Sequence, residues 1–334
     1  MHYHGTQQDV EQSSIKKGVL LINLGTPSRP VCPSLRKYLA EFLMDPRVIE
    51  IPKLLRLILV KGIIVNFRSH KSAANYRKVW TEEGSPLMIN SVRLTSRVAE
   101  LLAETNFDVE LAMRYGEPSI DSKLKLLHAK GIREIVLIPL YPQYSGSTGG
   151  SAFDAIASSL RNFRWVPKLH FIDSYHRHPL YITAIANSVE RHWRKNTQAQ
   201  KLIMTFHGVP QKFISRGDPY YQQCQITAQL LATKLELNDD QWMLVFQSRL
   251  GTEAWLQPYC DESLKALPKQ GVTSVDIICP GFSVDCLETL EEIDGENREY
   301  FIQAGGQHYS YIPCLNDSQQ HAELLSSIVH ESCS

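Results

Sequence analysis

Residues 134–150 read EIVLIPLYPQYSGSTGG. The first seven, EIVLIPL, form a nearly unbroken apolar run of strand length. Such a run belongs to a strand covered on both faces, as in a parallel sheet. The rest is polar, with two tyrosines, three hydroxyl side chains and three glycines. A helical pattern starts at Ser151. Strand, polar loop and helix in succession are the repeating unit of α/β folds.

The same unit recurs in both directions. Upstream, 18–24 (GVLLINL) and 109–113 are predicted strands. A helix is predicted over 34–43, and another over 119–130 with Ser119 as N-cap and Gly131 as its stop. Downstream the pattern begins again. Strands are predicted at 168–171, 202–206, 243–246, 274–278 and 308–312. Helices are expected over 179–194, 222–235, 258–267 and 318–329, with a long acidic one starting near Cys286. The expected fold class is therefore α/β: two Rossmann-like domains, each a parallel sheet flanked by helices, with a cleft between them. The expected hinge lies near 164–167, which divides the chain into 17–165 and 166–314. Residues 1–16 are polar and read as a disordered tail.

Composition narrows the classes. The chain has 334 residues, enough for two domains, with 43% hydrophobic and 21% charged residues. Lys plus Arg and Asp plus Glu number 35 each, which gives no reason to expect a nucleic-acid partner. The seven cysteines contain no CxxC pair, so neither a zinc ribbon nor an iron–sulfur cluster is expected. A reduced, cytoplasmic setting is the simpler expectation. The most apolar stretch, 51–65 (IPKLLRLILVKGIIV), is too short to span a bilayer and is interrupted by Lys53, Arg56 and Lys61. It reads either as a buried helix, the simpler reading, or as a membrane-surface or lip element.

Ligands of open α/β sheets bind beyond the carboxyl ends of strands. Three loops there hold unusual residues. The 141–150 loop is either an anion cradle or a turn capping the next helix. His207, in TFHGVP, is either a base or metal ligand or a structural histidine at a strand end. In PGFSVDCLETLEE, Glu288, Glu292 and then Glu296 recur every four residues. They make one slowly winding acidic ridge, read as a cation path or a solvated helix face. Trp255 is an aromatic wall or a core plug. Arg114 would pair with a ligand carboxylate or with the protein's own backbone.

Taken together these pieces resemble ferrochelatases. The matching stretches are LINLGTP at 21–27, FLMDPRVIEIP at 42–52, YPQYSGST at 141–148 and TFHGVP at 205–210. They continue with GDPYYQQC at 217–224, FQSRLGTEAWLQPY at 246–259 and PGFSVDCLETLEEI at 280–293. Seven pieces in the right order are highly specific, and the match is best to the Gram-negative bacterial type. The resemblance implies a chelatase-type fold whose last helix, 315–334, packs back on the first domain. It also implies insertion of Fe²⁺ into protoporphyrin IX, the terminal step of haem biosynthesis, by a lyase with no permanent cofactor and with iron as substrate. His207 and Glu288 would be the catalytic and metal-handling pair. Arg114, Ser147 and Trp255 would line the porphyrin pocket, and Tyr144 would add ring contact. Glu292 and Glu296 would mark the iron path, and 51–65 a lip that can also touch a membrane. One departure stands out: animal members carry a histidine where this chain has Cys286. Other tetrapyrrole chelatases, a non-catalytic porphyrin carrier and a two-domain solute-binding protein are the alternatives.

Overall fold

A computed structural model describes residues 3–5, 16–249, 251 and 253–333. The chain forms two compact units. The first comprises the described residues up to Leu140, Gly146–Ser174, and those from Asp317 on. The second comprises Tyr141–Ser145 and Tyr175–Asn316.

Unit 1 holds β1 (Lys17–Asn23), β2 (Phe107–Met113), β3 (Glu134–Pro139) and β4 (Lys168–Phe171), in the order β2-β1-β3-β4. Unit 2 holds β5 (Lys201–His207), β6 (Trp242–Gln247), β7 (Ser274–Ile278) and β8 (His308–Tyr311), in the order β6-β5-β7-β8. All pairings are parallel. The central strands are buried almost throughout, as helices on both faces require. In unit 1, Leu20, Ile22, Leu137 and Ile135 pack against Leu124 and Ile156. In unit 2, Ile203, Val245 and Ile277 pack against Leu264, Ile293 and Phe301.

The two sheets have the same topology, yet each unit exchanges one helix. The helix after β4, Pro179–Trp193, belongs to unit 2 and packs on Tyr220–Lys234. The helix after β8, Gln319–Ser332, belongs to unit 1 and packs on Pro86–Leu101. The expected hinge at 164–167 falls inside unit 1, because β4 pairs with β3 in the register Glu134↔Lys168 to Leu137↔Phe171. The chain leaves unit 1 only after Ser174.

Two expectations about the chain's edges change. His4 forms a parallel bridge with Phe163, its N–H donating to the Asn162 carbonyl at 2.6 Å, so residues 3–5 are ordered rather than tail; 1–2 and 6–15 lie outside the described residues. The 51–65 stretch is not a buried helix. Lys53–Leu57, Ile58–Ile64 and Val65–Val79 run on as one helical segment. Leu54 is 68% and Phe67 78% exposed, while Arg56 is only 7% exposed. The reason is local: Arg56 turns inward to cap the Ile49 and Ile51 carbonyls, at 3.0 and 3.2 Å. Its neighbours Leu54, Leu55 and Ile58 are thereby left outside.

Candidate active site

His207 is the last residue of β5, and Glu288 opens the helix that follows β7. Both therefore stand at the carboxyl end of the same sheet, in the same unit. Gln247, the buried last residue of β6, joins them. It is the register partner of His207. Its side-chain oxygen accepts from Thr205 Oγ1 at 3.0 Å, and its amide donates to the Glu288 carbonyl at 2.9 Å.

The His207 ring has a defined tautomer. Nδ1 lies 2.7 Å from the Gly208 carbonyl. A carbonyl only accepts, so Nδ1 carries the hydrogen and neutral His207 offers the lone pair of Nε2. Gly208 is required here by close approach. A Cβ would sit 2.8 Å from the Gln247 carbonyl and 3.3 Å from Trp255 Cε3. Trp255 thus lies on the turn after His207, fixed there by its bridge to Pro210. Phe282 flanks the imidazole at 6.4 Å between ring centroids.

Glu288–Asn297 winds in wide turns with i→i+5 bonding before continuing as Arg298–Gln303. Such turns are rare and are frequent at functional sites. Four residues make slightly less than one wide turn, so Glu288, Glu292 and Glu296 stay on one side. Glu288 and Glu292 are half-buried and Glu296 is exposed. Burial raises the Glu292 carboxyl to about 7, helped by the charges of Glu288 and Glu296 and opposed by hydrogen bonds from Ser248. The Ser248 N–H donates to Glu292 Oε1 at 2.7 Å and its hydroxyl to Oε2. Ser248 holds this pose with φ +65. A cavity of 170 Å³ opens here, lined by Gln247, Ser248, Asp261, Glu292, Glu296 and Tyr300. At roughly 30 Å³ per water it suits a hydrated ion, not a tetrapyrrole.

Two neighbours of Glu288 have structural duties. Asp285 is buried and accepts from Tyr311, Thr289 and Asn316 at 2.5, 3.0 and 2.6 Å. Cys286 is buried, which pushes its thiol well up, with Glu288 adding to the shift. Burial thus favours the protonated thiol at the position where animal members carry a histidine.

The YPQYSGST loop divides between the units. Its first half packs on the GDPYYQQC stretch and the helix it opens: the Tyr144 N–H donates to Gln223 Oε1, the Ser145 hydroxyl to Asp218 Oδ2, and the Gln143 amide to Thr227 Oγ1 one turn further on, at 2.7, 2.9 and 2.9 Å. Half-buried Tyr144 is thus placed in unit 2. The second half, Gly146–Gly150 with half-buried Ser147, is a wide helical turn that runs into Ser151–Leu160 in unit 1.

Arg114 is also in unit 1, beyond the end of β2. Its guanidinium donates to Asp45 Oδ2 at 2.5 Å and to the carbonyl and hydroxyl oxygens of Ser151 at 3.0 and 2.7 Å. Asp45 was not singled out from the sequence, although FLMDPRVIEIP contains it. Burial alone would raise its carboxyl. Hydrogen bonds from Ser151, the Arg47 N–H and Tyr115, together with the Arg114 charge, hold it below its ordinary value instead. A 710 Å³ cavity of this unit is lined by Asp45, Arg114, Asp121 and Asp154 together with Pro46 and Ala155, and its acids are already paired.

Comparison with known proteins identifies the family. The ferrochelatase family profile matches residues 16–333. A ferrochelatase of Marinobacter nauticus is 48% identical across 99% of this chain and 90% of its own length. Ferrochelatase 2 of Shewanella oneidensis is 51% identical across 94% of this chain and 97% of its own. Among solved structures, SirB from Bacillus subtilis with Fe³⁺ matches with a TM-score of 0.57 at 11% identity, over 96% of each chain, which speaks for the fold alone. A strand-end histidine and an acidic helix on a doubled chelatase sheet, within a sequence half identical to such relatives, show that this chain belongs to the ferrochelatase family.

Proposed function

We propose that His207 is the proton acceptor of the reaction and that Glu288, Glu292 and Glu296 carry the iron. As a ferrochelatase the chain is a lyase that inserts Fe²⁺ into protoporphyrin IX, the terminal step of haem biosynthesis. Each insertion releases two protons from the pyrrole nitrogens. The observation that carries the division of roles is the Nδ1–H bond of His207 to Gly208, which leaves Nε2 as a fixed base. Carboxylates favour a divalent cation, and their line runs from half-buried Glu288 to exposed Glu296. Among the described residues these acids do not gather into a three-ligand cage. A row of single carboxylates passes an ion along more readily than it traps one.

Trp255, seated on the turn after His207, and Tyr144 are the proposed ring contacts in unit 2. Bending the ring so that its lone pairs face the metal typically requires ~1–5 kcal/mol, which apolar contact away from the centre supplies. Arg114, held by Asp45 and Ser151, is the proposed partner of a propionate, with Ser147 as a second polar contact. For location we propose the cytoplasm with peripheral membrane contact. The seven unpaired cysteines and the exposed Leu54, Leu55, Ile58 and Ile63 beside Lys53 and Lys61 support this. No described helix is long and apolar enough to cross a membrane.

The test is anaerobic haem formation from protoporphyrin IX and Fe²⁺, followed by absorbance. His207→Ala should lose turnover at saturating iron. Glu292→Gln with Glu296→Gln should instead raise the KM for Fe²⁺. Full activity in His207→Ala, or an unchanged KM in the double variant, overturns the corresponding role.

A further inference from the structure

A second group of metal-ligand atoms lies in unit 1, at the amino-terminal end of the first sheet. Glu134 is the first residue of β3 and His170 the third of β4. Cys333 follows the terminal helix Gln319–Ser332. One carboxylate oxygen, one ring nitrogen and the sulfur all lie within 4.8 Å of one another. No other trio of His, Cys, Asp or Glu is gathered so closely among the described residues. All three are half-buried, enough to be ordered and still reachable by an ion.

We propose that Glu134, His170 and Cys333 form a binding site for a borderline divalent transition ion of the Zn²⁺ or Co²⁺ kind, distinct from the iron substrate site. The donor chemistry fits: one carboxylate, one imidazole and one thiolate, with water in the fourth position of a tetrahedral ion. The three donors come from two adjacent strands and the chain's final turn, so a bound ion ties the terminal helix to the start of the sheet.

The present partners of the site make it ready rather than filled. His170 Nε2 is 2.9 Å from Glu134 Oε1, and the ammonium groups of Lys17 and Lys168 lie 3.1 and 3.3 Å from the same oxygen. Cys333 also interacts with Lys17. An incoming ion replaces the two ammonium groups on Glu134, and both lysines have room to turn outward, being 32% and 66% exposed. The Cys333 S–H bond breaks, a sulfur–metal bond forms, and the proton goes to solvent.

The test is titration of the reduced, metal-free full-length protein with Co²⁺ in the absence of porphyrin. About one equivalent should bind with a sulfur-to-cobalt charge-transfer band and the visible bands of a four-coordinate ion. His207→Ala should keep the band. Cys333→Ser should abolish it, and His170→Gln should weaken Co²⁺ binding at least about tenfold. Zn²⁺ should raise Tm in the wild type by on the order of 2–4 °C and leave Cys333→Ser unmoved. Haem formation by Cys333→Ser should match the wild type. No thiolate band at millimolar Co²⁺ overturns the site. So does a band that survives Cys333→Ser, which would place the ion at another thiol such as Cys32, 3.3 Å from His70 Nδ1. If Cys333→Ser fails to fold, the His170→Gln titration decides alone.

Discussion

The carboxyl ends of the two sheets are built alike and used differently. In unit 1 the chain turns after β1 at Gly25, where φ is +106 and a Cβ would lie 1.8 Å from the Tyr115 carbonyl. In unit 2 it turns after β5 at Gly208, against the Gln247 carbonyl. After β3 and after β7 alike, the loop leads into a wide helical turn, Gly146–Gly150 and Glu288–Asn297. The difference is what neutralises the polar groups there. In unit 1, Arg114 and Asp45 satisfy each other with Ser151 and Tyr115. In unit 2, no ion pair to Glu288, Glu292 or Glu296 is formed among the described residues, and burial together with the charge they share lifts Glu292 to about 7. The same scaffold thus yields a self-satisfied anchor in one half and an electrostatically hungry site in the other.

Substitutions at matched places should expose that contrast. The largest effect is expected from His207→Ala, with kcat down by about 10²–10⁴ and Tm nearly unchanged. A large fall in Tm would make His207 structural and erase the distinction. Asp45→Ala should do the reverse. Removing one partner of a nearly buried pair costs about 3–5 kcal/mol in denaturant unfolding. In folded protein the porphyrin KM should rise more than kcat falls, because Arg114 loses its anchor. Equal stability would show that the pair is solvated.

Smaller differences sharpen the picture. Glu292→Gln should stabilise the protein more at pH 8 than at pH 5, by roughly 1–3 kcal/mol. The folded carboxyl is raised, so the folded state binds more protons than the unfolded one. Stability then falls as pH rises from the ordinary carboxyl range toward 7, and glutamine removes that fall. A pH-independent difference would mean that burial and the neighbouring acids do not raise the Glu292 carboxyl. The smallest effect should come from Leu54→Asn with Ile58→Asn. It should leave Tm within about 1 °C, since both side chains are exposed. It should also lower co-sedimentation with anionic lipid vesicles. Unchanged sedimentation would remove the proposed membrane contact.

Much of this was legible in the linear chain. Continuous apolar runs marked the central strands β1, β3, β5 and β7, because a strand covered on both faces needs apolar residues at nearly every position. Ser119 and Gly131 marked the ends of their helix by capping chemistry, and the structure shows the Ser119 cap and Gly131 at φ +75. His207 was legible because it follows a strand directly. Asp45 was not, since its partner Arg114 lies 69 residues away. The 51–65 stretch misled because its hydrophobicity is real while its direction depends on Arg56 finding the Ile49 and Ile51 carbonyls. The place of β4 in the first sheet was likewise hidden, because strand pairing is a long-range choice.

The amino-acid order by itself determined the alternation of strands and helices, the doubled α/β plan, and the set of residues able to do this chemistry. Tertiary structure alone decided the charge state of those groups: Arg114 set against Asp45, Cys286 kept protonated by burial, Glu292 lifted by burial and then by its acidic neighbours. The reason is that burial periodicity is written in adjacent residues. Charge state is set by whatever the fold brings within a few ångströms, from any distance along the chain.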